Sequence, residues 1–454
     1  MSREARFGIG SVTRFYVPLL LQAFSQSLSY PLVAGIVTHG AFGVNALTAF
    51  SQGLMIMFMI GALGGGLVTT GLVFAKTWYG YVSFRRLNAI MMTALLVLQC
   101  IPAVSPFDVW IFEGFFNLPP DLAAVSRRTL FLGVIMNAGF FIRNVPMVVL
   151  FNNLESGKAN NATLVRIAVT LAFSVVFPKI GLVGPDWGLF ALTTGVWIET
   201  IITWFYARPY VATLPNRPRS RIENEKCKME NAAQQRGRDI LVACEKKIFV
   251  PSLTLEQFRF TLPLALGGFL LACSPLVIAA FVARSANPTD MLAIHYVAIG
   301  VANPVAFAAL RLQTVSVKFQ PEYPGDRRLL YYAIVAGSLL GIIPFVFATP
   351  LIGNWYFGVF QNVPPRILPT ARLACGIYAF ISVIHAVRAR LEGIAAARKR
   401  PKALMAGQIA YTVSLFLVCL ILLPLGVPGW AMAVTAIFVA PACVATTIGV
   451  ALRR

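Results

Sequence analysis

The stretch SVTRFYVPLLLQAFSQSLSYPLV, residues 11–33, has the length and apolar character of a membrane span, yet Gln22, Ser25, Gln26 and Ser29 sit inside it. Pro18 and Pro31 flank that polar patch. Residues 256–277, EQFRFTLPLALGGFLLACSPLV, repeat the frame with most of the polar residues gone. Arg14, Phe15, Pro18 and Leu19 fall on Arg259, Phe260, Pro263 and Leu264 at a shift of 245. The shift carries on along the chain: Leu47 falls on Leu292, Thr69 on Thr314 and Phe74 on Phe319. VGPDWG (183–188) resembles GVPGWA (426–431), and NLES (153–156) resembles RLEG (390–393). The chain therefore reads as two copies of one unit.

Composition says what kind of unit. Of 454 residues, 58% are hydrophobic and only 12% charged, against about 25% charged in a soluble domain. A helix needs about 20 mostly apolar residues to cross a bilayer. Twelve such stretches fall near 15–38, 45–75, 85–104, 128–151, 163–183, 187–207, 257–283, 291–318, 329–350, 366–388, 403–424 and 430–451. Residues 208–256 break the pattern with mixed charge, Pro and Asn, and read as a solvated linker, helical in part around 222–244. Residues 1–207 are then an N-lobe and 257–454 a C-lobe, with six spans each. Six spans return the chain to its starting side, so both copies enter the membrane in the same orientation, as a parallel repeat around a central cleft. The expected fold class is an all-α polytopic membrane protein of twelve helices.

The net charge of +21 is distributed to match. With both ends on one side, that side holds 32 of the 38 Lys and Arg and the opposite side holds 6. The surplus is a topology signal, with both termini cytoplasmic and the protein in the plasma membrane, or the inner membrane of a bacterium. No nucleic-acid partner is implied. The N-terminus lacks a small-residue cleavage site after its apolar run and reads as a retained span. No external loop carries a cysteine pair; Cys227 and Cys244 lie in the linker. No phosphate-binding loop, metal-ligand cluster or nucleophile motif is present, so no enzyme, metal or cofactor is expected.

The candidate site rests on polar groups inside spans. Gln22, Ser25, Gln26 and Ser29 recur at i, i+3, i+4 and i+7 and share one helix face. The stripe either faces the cleft or bonds helices together within the N-lobe. Glu199 is the acidic residue set deep in a span; it is either a coupling carboxylate for ions or protons, or a static partner of Arg143 or Arg166. Asn137 and Asn144 share a face of the fourth span, with Arg143 beside them. Asn303 and Thr314 share a face of the eighth, near Arg311, which replaces Gly66 of the other copy. Tyr378 and His385 align on the tenth, followed by Arg388. Several cations around one acid point to an anionic substrate, unless the arginines snorkel to water. Pro18, Pro31, Pro263 and Pro275 make the first helix of each copy a candidate hinge. Met55, Met57 and Met59 read as adaptable packing.

RFYVPL (14–19), TTGLVFAK (69–76), FTLPLAL (260–266) with PLVIAAFVAR (275–284), and VRARLEG (387–393) with LLPLGVPGWA (422–431) carry a resemblance. The chain resembles the superfamily of multidrug and toxin extrusion (MATE) transporters, polysaccharide exporters and the lipid II flippase. Within it, these segments are similar to the progressive ankylosis family. The resemblance implies an alternating-access exporter of anionic metabolites of the pyrophosphate, nucleotide phosphate or citrate class. The expected partners are that small molecule and the lipid bilayer, and the expected state is a monomer. A MATE-type cation antiporter using Glu199, a flippase opening laterally between the first and eighth helices, and a scaffold docking a partner on its linker are the rival readings.

Overall fold

The computed structural model describes residues 7–41, 43–104, 106–116, 118–216, 251–323, 325–361 and 363–453. The expected linker helix near 222–244, with Cys227 and Cys244, lies outside the described residues. The first half contains α1 (Ile9–Thr38), α2 (Gly43–Ala62), α3 (Gly66–Phe74), α4 (Trp78–Val104), α5 (Pro120–Asn152), α6 (Ser156–Lys179) and α7 (Pro185–Ala212). The second contains α8 (Pro251–Val282), α9 (Pro288–Leu310), α10 (Leu312–Lys318), α11 (Arg328–Ala348), α12 (Leu368–Tyr378), α13 (Ile381–Ala397), α14 (Pro401–Leu422) and α15 (Gly429–Arg453). Eleven helical runs are long and apolar enough to cross a bilayer, α2 counted with α3, α9 with α10, and α12 with α13. The 30-residue α1 completes a set of twelve; at 1.5 Å per residue it spans about 45 Å.

The repeat is written in the backbone. A π-helical segment, Val109–Phe115, follows α4, and another, Asn354–Phe360, follows α11, 245 residues on. In each, a backbone N–H reaches five residues back: Phe116 to Ile111 and Gln361 to Tyr356. Residues with left-handed φ recur at the same interval, Leu154 (62°) with Lys399 (53°) and Gly181 (75°) with Gly426 (69°). These pairings correct one match made on sequence. NLES is the turn between α5 and α6, whereas RLEG lies inside α13; the true counterpart of that turn surrounds Lys399. Short motifs of common residues align by chance, but a left-handed turn is an uncommon backbone state.

Helix ends follow local chemistry. Pro occupies the first turn of α5, α7, α9 and α14, where its missing N–H costs nothing. Asp121, Asp186 and Asp290 stand in the first turns of α5, α7 and α9, where the positive helix end favours them. α7 runs to Ala212 and α8 starts at Pro251, so both helices extend into the stretch expected as linker. Around the π-helical segments, Trp110, Phe115 and Trp355 are exposed, as in the aromatic belts of membrane–water interfaces.

The halves are bonded together at the end where α1 begins and α15 ends. Tyr16 Oη donates to Ala308 O at 3.1 Å, Gln257 Nε2 to Gly80 O at 3.2 Å, and Thr70 and Thr261 share a hydrogen bond of 2.7 Å. Lys399 lies over the Phe74 ring at 4.2 Å and pairs with Glu256 at 3.0 Å. Tyr16 thus closes the seam between the first and eighth spans at this end.

Candidate functional site

Two glycines place the charged centre of the first half. A Cβ on Gly195 would stand 2.8 Å from Thr170 Oγ1 and 2.9 Å from Arg166 Cγ, so α6 and α7 approach closely only because none is there. One turn on from Gly195 is Glu199. A Cβ on Gly139 would likewise meet Val196 Cγ1 at 2.9 Å, and one turn on from Gly139 is Arg143. Small residues at helix contacts are what allow membrane helices to pack this tightly. The close approach brings Arg143 Nη1 within 2.6 Å and Arg166 Nη1 within 3.0 Å of Glu199 Oε2.

Glu199 is fully buried, and its other oxygen accepts from Thr163 Oγ1 at 2.5 Å. Gln22 Nε2 donates to Thr163 Oγ1 at 3.0 Å, and Arg166 Nη2 donates to Ser29 Oγ at 3.2 Å. Two members of the polar stripe on α1 therefore reach Glu199 through one intermediate each. The carboxylate is met by both arginines weighed as its partners. Charge-assisted bonds of this kind are the strong ones, and they make a centre that links α1, α5, α6 and α7.

Beside this centre lies a cavity of about 820 Å³ between the halves. Arg143, Arg166 and Ser29 line it from the first half; Asn303, Arg311 and Thr314 line it from the second. Phe58, Phe140 and Phe307 supply its apolar wall, and the Arg143 guanidinium stands 4.9 Å above the Phe140 ring. Among the described residues, the lining holds three guanidiniums and no carboxylate; Glu199 stands behind them. Such a cavity concentrates positive potential in a setting of low dielectric.

Not every candidate reaches it. Gln22 and Ser25 are buried, and neither lines the cavity; the side chain of Gln26 lies outside the described residues. Asn137 donates to Gln99 Oε1 at 2.7 Å and to Met57 O at 3.3 Å, inside the first half. Asn137 and Asn144 line a smaller hollow of about 320 Å³, which Arg143 also borders. His385 is buried in the second half, away from the cavity lining. Near it Arg388 donates to Glu392 at 2.8 Å and to Gln408 at 3.1 Å and lies over the Tyr411 ring at 5.1 Å. This second ionic centre is internal to the second half.

The candidate hinge prolines do not interrupt their helices. α1 continues through Pro18 and Pro31, and α8 through Pro263 and Pro275. Lost hydrogen bonds at a proline are tolerated when neighbouring turns hold the helix. The breaks fall elsewhere: between α2 and α3 at 63–65, and at Arg311 between α9 and α10. Both lie at the cavity wall, which Gly65 and Arg311 line. Sequence reasoning passed over Ser27, Thr69 and Gln313, which line the cavity as well. The repeat held the signal for Thr69, since it is the counterpart of Thr314.

No protein-family model and no curated protein sequence matches the chain. Solved structures do match, along nearly its whole length. A MOP-superfamily transporter from Pyrococcus furiosus superposes with TM-score 0.71 at 13% identity, over 98% of this chain and 94% of that one. The eukaryotic MATE transporter AtDTX14 gives 0.66 at 13% identity, over 98% and 95%. The Vibrio cholerae MATE transporter VcmN, in its bent form, gives 0.63 at 12%, over 98% and 97%. The fold is that of these transporters.

Proposed function

We propose that the protein is an alternating-access transporter for a small anionic or phosphate-bearing molecule, which binds in the cavity between its halves. The observation that carries this reading is the cavity lining: Arg143, Arg166 and Arg311, contributed by both halves, with no carboxylate among the described lining residues. The shared transporter fold supports it. In the Pyrococcus furiosus transporter of the same fold, reverse polarity of the binding pocket suggests a different function.

In this reading the lobes are residues 1–207 and 257–454, joined by 208–256, and the chain acts as a monomer. With the termini cytoplasmic, the bonded end of the seam closes the cytoplasmic side of the cavity. Movement of the lobes would open it, with α1 and α8 bending at Pro18, Pro31, Pro263 and Pro275. Arg311 is the primary anion contact, aided by Asn303 and Ser29. Glu199 orients Arg143 and Arg166 towards the cavity, in place of the coupling role also weighed for it. The resemblance of RFYVPL and TTGLVFAK to progressive ankylosis segments favours substrates of the pyrophosphate, nucleotide phosphate or citrate class.

The test is flux in liposomes. Labelled pyrophosphate, ATP and citrate are followed beside ethidium, with and without a pH gradient, in the wild type, Arg311→Ala and Glu199→Gln. Anion flux that Arg311→Ala abolishes supports the reading. Ethidium flux driven by the pH gradient and lost in Glu199→Gln would replace it with a cation antiporter.

A further inference from the structure

At the bonded end of the seam lies a second hollow, of about 590 Å³, separate from the central cavity. Lys76, Asn152 and Asn153 line it from the ends of α3 and α5; Lys318, Gln320 and Arg398 line it from the ends of α10 and α13. The two halves thus meet around it with three cations. No Asp or Glu belongs to its lining among the described residues.

The neutral polar groups there are already engaged. Asn152 donates to the carbonyls of Gly71 and Ala75 at 3.3 and 3.1 Å, and Asn153 donates to Val149 O at 2.8 Å. Gln320 donates to Ser316 O, and Lys318 Nζ crosses the seam to donate to Asn152 Oδ1. What the hollow presents to a ligand is therefore positive charge. Lys76 and Lys318 line the same hollow from opposite halves. Like charges drawn together in a setting of low dielectric oppose closure of the halves unless an anion lies between them. Arg398 sharpens the asymmetry, because it holds the repeat position of Asn153 and adds a cation where the first half has an amide.

We infer that this hollow binds a polyanionic phosphate group, which ties the two halves together at the end of the seam where they already touch. Lys76 holds it from one half, and Lys318 and Arg398 from the other. The site exists only while the halves are closed here, so its ligand favours that state by the ratio of its affinities for the closed and parted forms. A free di- or polyphosphate and the headgroup of a phosphorylated lipid carry the same chemistry. The inference is independent of what the central cavity transports.

The test uses the full-length protein and reads thermal midpoint and binding heat. Pyrophosphate is titrated into detergent-solubilised protein; in parallel, phosphatidylcholine nanodiscs are compared with and without phosphatidylinositol bisphosphate. The expected result is a saturable rise in midpoint that weakens with salt. The titrations are run in an Arg311→Gln background, so that anion binding in the central cavity does not contribute; there Lys318→Gln or Arg398→Gln should lower apparent affinity about tenfold or more, while Lys318→Arg retains it. A response to pyrophosphate identifies a free phosphate, and a response confined to the phosphoinositide discs identifies a headgroup; either supports the site. No response in either arm overturns it. So does a response in the Arg311→Gln background that survives both Lys318→Gln and Arg398→Gln.

Discussion

Phe15 of α1 packs against Phe319, just beyond α10, with ring centroids 6.1 Å apart, and Phe260 of α8 packs against Phe74 of α3 at 5.4 Å. Phe15 and Phe260 are repeat partners, as are Phe74 and Phe319. One contact across the seam is therefore made twice, once in each sense, as a twofold relation between halves requires. Each aromatic pair is expected to couple by about 0.5–1.5 kcal/mol beyond its area burial. Double-mutant cycles on Phe15/Phe319 and Phe74/Phe260, read by thermal unfolding, should return similar coupling energies; a null result for one pair alone would break the symmetry.

Removing the shared carboxylate should cost more than removing either arginine. Glu199→Gln leaves Arg143 and Arg166 without their charge partner and should destabilise the fold by about 3–5 kcal/mol. Arg143→Met keeps the Arg166–Glu199 pair at 3.0 Å and should cost less. Unfolding midpoints of the two variants, compared at equal protein concentration, test the ordering.

The repeat partners Gly66 and Arg311 should separate stability from flux. A Cβ on Gly66 would stand 2.5 Å from Leu264 Cβ across the seam, so Gly66→Ala should cost about 1–3 kcal/mol by overpacking. Arg311→Ala, at the cavity wall, should largely spare the thermal midpoint and remove anion flux. Equal loss of midpoint in both would argue that Arg311 is a structural residue.

Leu154 carries φ of 62° at an exposed turn. That conformation costs a non-glycine residue about 1–2 kcal/mol, so Leu154→Gly should raise the midpoint. Gly426→Ala, at φ of 69°, should lower it. Both measurements need only the purified protein.

The loop before α11 should respond to acid. Asp326 accepts from Arg328 Nε at 3.0 Å and Nη2 at 2.8 Å, and from the backbone N–H groups of Arg328 and Glu322 at 3.0 and 3.2 Å. The Arg328 guanidinium holds its carboxyl well below the usual carboxylate range. A depressed carboxylate contributes stability above its unfolded value, about pH 4, and loses it as pH falls towards the folded one. The midpoint difference between wild type and Asp326→Asn should be constant above about pH 4 and shrink below it.

The sequence by itself determined the twelve spans, the 245-residue repeat and the parallel arrangement that follows from six spans per copy. These are legible because a bilayer imposes length and hydropathy on each helix separately, and a duplicated unit keeps its interval. It also singled out Arg143, Glu199, Asn303 and Arg311, since ionisable and amide groups are costly inside a span wherever they fall. Only the tertiary structure decided what those groups face. Periodicity puts Gln22 and Ser29 on one side of α1, yet Ser29 lines the cavity while Gln22, two turns earlier, is buried and donates to Thr163 of α6. The break at 63–65 falls at a run of glycines, 64–66, which weakens a helix locally, whereas α1 and α8 continue through their prolines. A helix keeps or loses a hydrogen bond according to what its neighbours can supply in return, and that depends on residues far away in sequence.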